Sequence, residues 1–392
     1  MQPDFSALDA HLETLGVDAY LLDFASSEPN QRYLSGFDAP DPFVSCYRPD
    51  GLALLVSGLE FGRAKRESHA DWVARPADYD KHDLIEEYGS QEATTRVIAR
   101  FLADCDVHSV AVPDRFPVGT ADGLRTFDID VVVDTEDALM TARATKTAAE
   151  RDYIRETQQA NERAMAAAES LLAAATPDEN GVLVVDGDPL TSERIKAEIE
   201  GTLLTHGCGL DDTIVAGGRQ AADPHDRGSG PLRAGESIII DIFPRNKSTR
   251  YHSDMTRTFC VGEPTDTLRE WYDLTETALA AALDAVEPGA TGRDVHAAAC
   301  DVYENAGLPT LRSDPETEVG FIHSTGHGVG LAVHELPRLS PAGGELEQGH
   351  VITVEPGVYD PDEGGIRIED IVIVTEDGYE NITDYPIEFV VD

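Results

Sequence analysis

Lysine is nearly missing from this sequence: it stands at five positions, 65, 81, 146, 196 and 247, so arginine carries almost all of the positive charge. Basic residues of either kind are few, 30 Lys and Arg against 74 Asp and Glu, which leaves a net charge of −44. Magnitudes of roughly 2 to 8 suit a small soluble domain. No basic patch or stripe offers the counterion release that drives phosphate-backbone binding, so a nucleic-acid partner is excluded. The acids are spread along the whole chain, unlike the blocks of an acidic tail. Repulsion on this scale is tolerated where the Debye length falls to about 3 Å, as in molar salt, and a halophilic setting is expected.

Cysteine is also scarce, at 46, 105, 208, 260 and 300. The odd number, wide scatter and lack of a CxxC pair read as reduced thiols, neither a disulfide framework nor a zinc site. No apolar run approaches the ~18 residues of a membrane span. The opening segment Met1 to Gly16 is acidic, without the basic and apolar regions of a signal peptide. These absences lead to the expectation of a soluble, cytoplasmic protein with no membrane partner. Its 392 residues suit two or three domains of about 150.

Short apolar runs at 17–24, 52–56, 109–112 and 127–133 alternate with helical stretches such as 96–102, which predicts a compact α/β domain over residues 1–140. Ser6 and Asp9 read as a capping box for an opening helix closed by Gly16. Thr147 and Glu150 form another before an Ala-rich segment free of Gly and Pro through Ala175, and a helix of over twenty residues is expected to open a second domain, 141–392. Residues 176–189 read as an exposed hairpin or insertion. Capping boxes at Thr267/Glu270 and Thr291/Asp294 start two further helices, and strands are expected at 237–243, 254–261, 351–359 and 365–374. Helices followed by strands without strict alternation indicate an α+β domain.

The chemistry lies in acids that interrupt these strands. Asp241 stands inside Ile238-Ile239-Ile240-Asp241-Ile242-Phe243, whose apolar residues mark burial on both faces. A lone buried carboxylate is very costly and must be neutralised by a proton, a partner or a metal. Taken alone, Asp241 fits a salt-bridged core acid or a strand bend better than a ligand. The pattern recurs in Asp254-Met255-Thr256-Arg257-Thr258-Phe259, where Asp254, Thr256 and Thr258 share a face and Thr256 is placed to support the acid. It recurs again at Glu355 in Val351 to Gly357 and at Glu369 in Ile366 to Ile371, where Arg367 and Glu369 face the same way. Four such acids converging would repel one another into protonation unless divalent cations sat among them. His327, between glycines in Thr325-Gly326-His327-Gly328, adds a nitrogen. Four carboxylates and one imidazole are too acidic for a three-ligand zinc and match two divalent ions, which can share a hydroxide and polarise the carbonyl it attacks.

These residues resemble the pita-bread metallopeptidases of the Xaa-Pro dipeptidase (prolidase) and aminopeptidase P branch. The ligand order appears as Asp241, Asp254, His327, Glu355 and Glu369 within DMTRTF, GHGVGLAVHE, VEPGVY and GGIRIED, and residues 30–37, NQRYLSGF, look like the noncatalytic creatinase-like domain that often contributes to a homodimer. The resemblance implies that Asp241 binds one ion, that Asp254 and Glu369 bridge both, and that His327 and Glu355 complete the other. It implies a general-base role for Glu355 and gives His225, His323 and His334 roles in holding substrate, stabilising the oxyanion or relaying protons. Arg367 and Tyr359 would lie near the substrate, against the plainer roles of pairing with neighbouring acids and of core packing. Asp241 and Asp254 stand thirteen residues apart, two more than the resemblance leads one to expect, and a longer hairpin turn at 244–250 absorbs the excess. Residues 313–317 add a polar surface loop.

The implied activity is hydrolysis of the bond between an N-terminal residue and proline by a metal-bridging hydroxide. The substrate is a peptide with proline in second position, and the cofactor is a pair of divalent ions: carboxylate-rich ligation suits Mn²⁺, with Co²⁺ or Zn²⁺ as the other candidates. Two alternatives are a metal-free creatinase-type C–N hydrolase and a noncatalytic peptide-binding pseudo-peptidase. Both run against the presence of all five ligand residues.

Overall fold

The computed structural model describes residues 4–391, so Met1 to Pro3 of the opening segment and first domain, and Asp392 of the second, lie outside the described residues. The chain divides into two compact units, Met1–Arg143 and Ala144–Asp392.

The first unit is a six-stranded sheet in the order Trp72–Ala74, Gly51–Leu55, Phe43–Arg48, Ala19–Phe24, Ser109–Pro113, Asp130–Asp134. The pairs 19–24/109–113 and 109–113/130–134 are parallel, and the meander 19–55 is antiparallel. Val97, Ile98, Phe101 and Leu102 recur at helical spacing on Ser90–Asp104 and enter the same apolar core as Leu21, Cys46 and Val110. The opening helix runs Ser6–Leu15 and stops at Gly16 in the left-handed conformation. Ser6 is not its cap: it lies inside the helix, and its N–H donates to Asp4 Oδ1 at 2.9 Å. A carboxylate already satisfies the exposed amide there, which leaves the expected Ser6/Asp9 box nothing to do.

The second unit opens on Ala148–Ala173, whose capping box between Thr147 and Glu150 forms as read. Its buried stripe, Ala160, Ala164, Met165, Ala168 and Leu172, belongs to one cluster with Ile238, Ile240, Ile242, Met255 and Phe259. Residues 176–189 form a small three-stranded sheet. It is not wholly exposed, because Leu183 and Val185 are buried in that same cluster. The next helix is Asp266–Asp284, capped by Thr265 rather than Thr267: the Thr265 side chain accepts from Leu268 N. The Thr291/Asp294 box does cap Gly292–Asn305.

Two sheets carry the acids. One has the order Ile214–Gly217, Ile238–Ile242, Met255–Val261, Val390–Val391; the other is Glu335–Leu339, Gly326–Gly328, Val351–Val354, Asp370–Val374, Tyr379–Asn381. The long strands expected at 351–359 and 365–374 are each broken. Val351–Val354 and Gly357–Asp360 are separate, as are Gly364–Arg367 and Asp370–Val374. The breaks fall at Glu355-Pro356 and Ile368-Glu369. Pro356 has no N–H for a ladder, and Glu369 turns its backbone to another strand, donating to Thr256 O at 3.1 Å.

Candidate metal centre

Asp241 is held within its strand, opposite Ile214 on one side and Thr256 on the other. Asp254 immediately precedes the neighbouring strand, Met255–Val261. Glu355 and Glu369 come from the two breaks. Glu355 N–H donates to Thr325 O at 2.8 Å, which ties its strand end to the His327 segment. The glycines beside His327 are required by crowding: a Cβ on Gly326 would lie 2.1 Å from Thr353 O, and one on Gly328 would lie 2.0 Å from Leu336 O. Only glycine lets the three strands close around the imidazole.

Asp254, His327 and Glu369 each present a ligand atom, and these atoms lie within 4.8 Å of one another. Glu355 joins through its Oε1, 3.4 Å from His327 Nε2, and Asp254 Oδ2 lies 3.8 Å from the same nitrogen. Asp241 is turned differently: its Oδ2 accepts from Arg367 Nη2 at 2.7 Å. Asp241 Oδ1, Asp254 Oδ1 and Glu369 Oε1 are buried without a hydrogen-bond partner. Native structures seldom leave buried carboxylate oxygens unpaired, and three of them, two belonging to the acids that meet His327, fit a site built for divalent cations with oxygen preference.

The electrostatics agree. Burial first, then Glu369, Asp241 and Glu355, pushes the Asp254 carboxyl well above the usual range, and Arg367 only partly opposes this. Glu369 is raised by burial and then by Glu355 and Asp241. Burial also lifts Glu355, to about 7. Cations among them would reverse these shifts. His327 is held down to about 3 by burial and then by His334, so it is a neutral imidazole. Its Nδ1–H donates to Gly328 O at 3.1 Å, which leaves the Nε2 lone pair free to bind a metal.

The other expected residues form two groups. His334 is exposed, its ring edge-on to His327 with centroids 4.3 Å apart. His225 lies in an exposed turn, close enough for its charge to disfavour protonation of His334 and His323. The second group is internally bonded, with Arg367 and Tyr359 buried and His323 half-buried. Arg367 donates to Asp241, to the Tyr359 hydroxyl at 2.9 Å and to Thr256 Oγ1 at 3.3 Å, so it occupies the pairing role. The Tyr359 hydroxyl donates to His323 Nε2 at 2.9 Å, and His323 Nδ1–H donates to Ser324 O at 2.7 Å. Both His323 nitrogens are thereby engaged. Thr256 supports Glu369 rather than Asp254: its Oγ1 donates to Glu369 Oε2 at 2.7 Å.

Sequence reasoning passed over Arg338. It is the direct cross-strand partner of His327, exposed, and its guanidinium has no hydrogen bond or ion pair among the described residues. Its charge reaches both His327 and His334. The period-two alternation of Glu335–Leu339 was the available signal.

Known proteins share this plan. The model for the Creatinase/Prolidase N-terminal domain matches residues 5–145, and that for metallopeptidase family M24 matches 152–376. A probable dipeptidase, PepE, of Mycobacterium tuberculosis is 42% identical over 181 residues, 45% of either chain, so the match spans less than half of that relative. A Xaa-Pro dipeptidase of Pyrococcus horikoshii is 28% identical over 375 residues, 94% of this chain and 93% of the relative. The solved structure of a Xaa-Pro dipeptidase from Bacillus anthracis superposes with a TM-score of 0.82 at 25% identity, covering 98% of each chain. The expected architecture is met: an α/β creatinase-like domain followed by an α+β pita-bread domain. With more than half of its residues matched by that family, the chain belongs to metallopeptidase family M24.

Proposed function

We propose that this protein hydrolyses the bond between an N-terminal residue and a following proline, with two divalent ions held by Asp241, Asp254, His327, Glu355 and Glu369. The observation that carries the reading is the meeting of Asp254, His327 and Glu369 within 4.8 Å beside carboxylate oxygens that are buried and unpaired. The names borne by the Pyrococcus and Bacillus relatives support it.

When bound, the ions supply a water of lowered pKa and a polarised scissile carbonyl. The side chains do the rest. Glu355 Oε1 is weakly held by Thr353 Oγ1 at 3.4 Å, so the carboxylate is available to take a proton from the attacking water and pass it to the proline nitrogen. That nitrogen has no hydrogen, so a site relying on an amide donor would fail with it. His334 and His225 face solvent beside the centre and donate to the carbonyl oxygen as it gains charge. Arg338 offers an unpaired cation to a substrate carboxylate, which a dipeptide presents close to the scissile bond. Arg367 acts from behind by holding Asp241 and Tyr359, and His323 fixes the Tyr359 hydroxyl.

The finer assignments belong to the same proposal. Oxygen-rich ligation favours Mn²⁺ over Co²⁺ or Zn²⁺. Residues 1–140 form a noncatalytic domain that contributes to a homodimer, and 141–392 carry the chemistry. The net charge of −44 supports a salt-rich cytoplasm, and no helix of the described residues is long and apolar enough to cross a membrane. The test compares Xaa-Pro dipeptides with Xaa-Pro-Xaa tripeptides in molar KCl after chelation and after adding Mn²⁺, Co²⁺ or Zn²⁺. Hydrolysis restored by metal supports the reading; turnover undiminished in the demetallated protein refutes it.

A further inference from the structure

Arg257, third in the Met255–Val261 strand, heads the largest fully buried side chains among the described residues. A guanidinium carries five N–H donors, and here each has an acceptor. Nε donates to Pro386 O at 2.9 Å; Nη1 donates to Thr256 O at 2.9 Å and Glu369 O at 2.7 Å; Nη2 donates to Asp370 Oδ1 and Tyr385 O, both at 2.9 Å. Asp370 is buried too, its side chain only 6% exposed. A buried ion pair is a poor way to gain stability, because apolar residues of similar volume often do as well or better. What the pair adds is geometry.

That geometry converges on one acid. Alternation along the strand puts Arg257 on the face opposite Asp254, Thr256 and Thr258. Glu369 falls between two strands, where its backbone must be fixed by other means. Its N–H is taken by Thr256 O, its carbonyl by Arg257 Nη1, and its Oε2 by Thr256 Oγ1. The peptide groups of Thr256 and Glu369 thus hang on one planar fork.

We propose that Arg257 is a positioning residue for the metal centre. By gripping the carbonyls of Thr256 and Glu369 and the Asp370 carboxylate, it aims the Glu369 carboxylate at the ions. Through the Tyr385 and Pro386 carbonyls it couples the centre to residues 383–387. The inference rests on Glu369 being a ligand. Lysine cannot replace the fork, since an ammonium has three donors and no fixed plane.

The test is Mn²⁺ titration calorimetry on the demetallated full chain in molar KCl, for wild type, Glu369→Gln and Arg257→Lys. Arg257→Lys keeps the charge, so an effect on affinity reports geometry. The expected result is affinity lowered about 10- to 100-fold in Arg257→Lys, the usual cost of losing a partner that orients a ligand, with an unchanged far-UV circular dichroism spectrum, and Mn²⁺ binding impaired in Glu369→Gln. Wild-type affinity in folded Arg257→Lys overturns the positioning role. Wild-type binding in Glu369→Gln overturns instead the ligand assignment beneath it. If Arg257→Lys does not fold, hydrogen exchange of the wild-type protein decides: Mn²⁺ should slow exchange at 383–387 more than in the helix Ser192–Thr205, and equal slowing overturns the coupling.

Discussion

Arg367 Nη2 lies 2.7 Å from Asp241 Oδ2, both side chains being largely buried, so a candidate metal ligand already carries a protein cation. Breaking a buried pair by removing one partner leaves an uncompensated charge and costs about 3–5 kcal/mol. Arg367→Met should therefore lower the melting temperature of the chelated protein, and Mn²⁺ should restore more stability to the variant than it adds to the wild type. Thermal unfolding with chelator and with Mn²⁺ checks this. An equal metal-induced shift in both would show that Arg367 does not offset the charge of Asp241.

Lys146 Nζ and Glu335 Oε2 pair at 3.0 Å, each side chain 1% exposed. Glu335 Oε1 also accepts from Ala332 N at 2.9 Å, so the carboxylate braces the turn that ends in His334. Lys146→Met should destabilise by about 3–5 kcal/mol, and the same substitution should cost less in a Glu335→Gln background, where the charge it pairs with is already gone. Denaturant unfolding in molar KCl measures both. An equal cost of Lys146→Met in the two backgrounds would contradict the pairing.

Arg338 stands across the sheet from His327 and is proposed to receive a substrate carboxylate. Arg338→Met should raise KM for an Xaa-Pro dipeptide by about tenfold or more, the scale of one lost charge-assisted hydrogen bond, while leaving the affinity for Mn²⁺ near that of the wild type. Steady-state kinetics and metal titration together decide it. A fall in kcat with unchanged KM would assign Arg338 to the reaction instead.

His350 is buried and held down to about 4, by burial first and then by Lys146. Its Nδ1 accepts from Glu347 N at 3.0 Å, which needs the neutral ring. The unfolded ring titrates near 6.5, so between that pH and about 4 the unfolded state binds the extra proton, and stability falls as pH falls. The full effect is about 3 kcal/mol. Carboxyls with raised pKa oppose this trend, so the measurement is a difference: unfolding free energy at pH 7 minus that at pH 5, wild type against His350→Gln. The wild type should lose more. Parallel profiles would count against a neutral buried His350.

Some of the site was legible in the residues alone. Asp241 drew notice as an acid within Ile238–Ile242, though a core ion pair such as the one it makes with Arg367 explains it too; the recurrence at Asp254, Glu355 and Glu369 gave it and His327 their weight. The break at Glu369 was not legible, since apolar runs on either side read as one strand while the break goes with a backbone bond to Thr256; the break at Glu355 had a signal in Pro356 that the apolar run masked. Caps divide less cleanly: Thr147 prevails over Thr145 two residues earlier, whereas Thr267 yields to Thr265 at the same spacing. Arg257 and Lys146 escaped for one reason. Their roles depend on partners far away in sequence, as Lys146 and Glu335 are 189 residues apart, and no local pattern reports such a meeting.

The most direct measurement of the central claim is anomalous diffraction from crystals of the full chain grown with Mn²⁺. Two peaks should appear, contacted by Asp241, Asp254, His327, Glu355 and Glu369. A centre with no peak, or with ions bound only elsewhere, would contradict it.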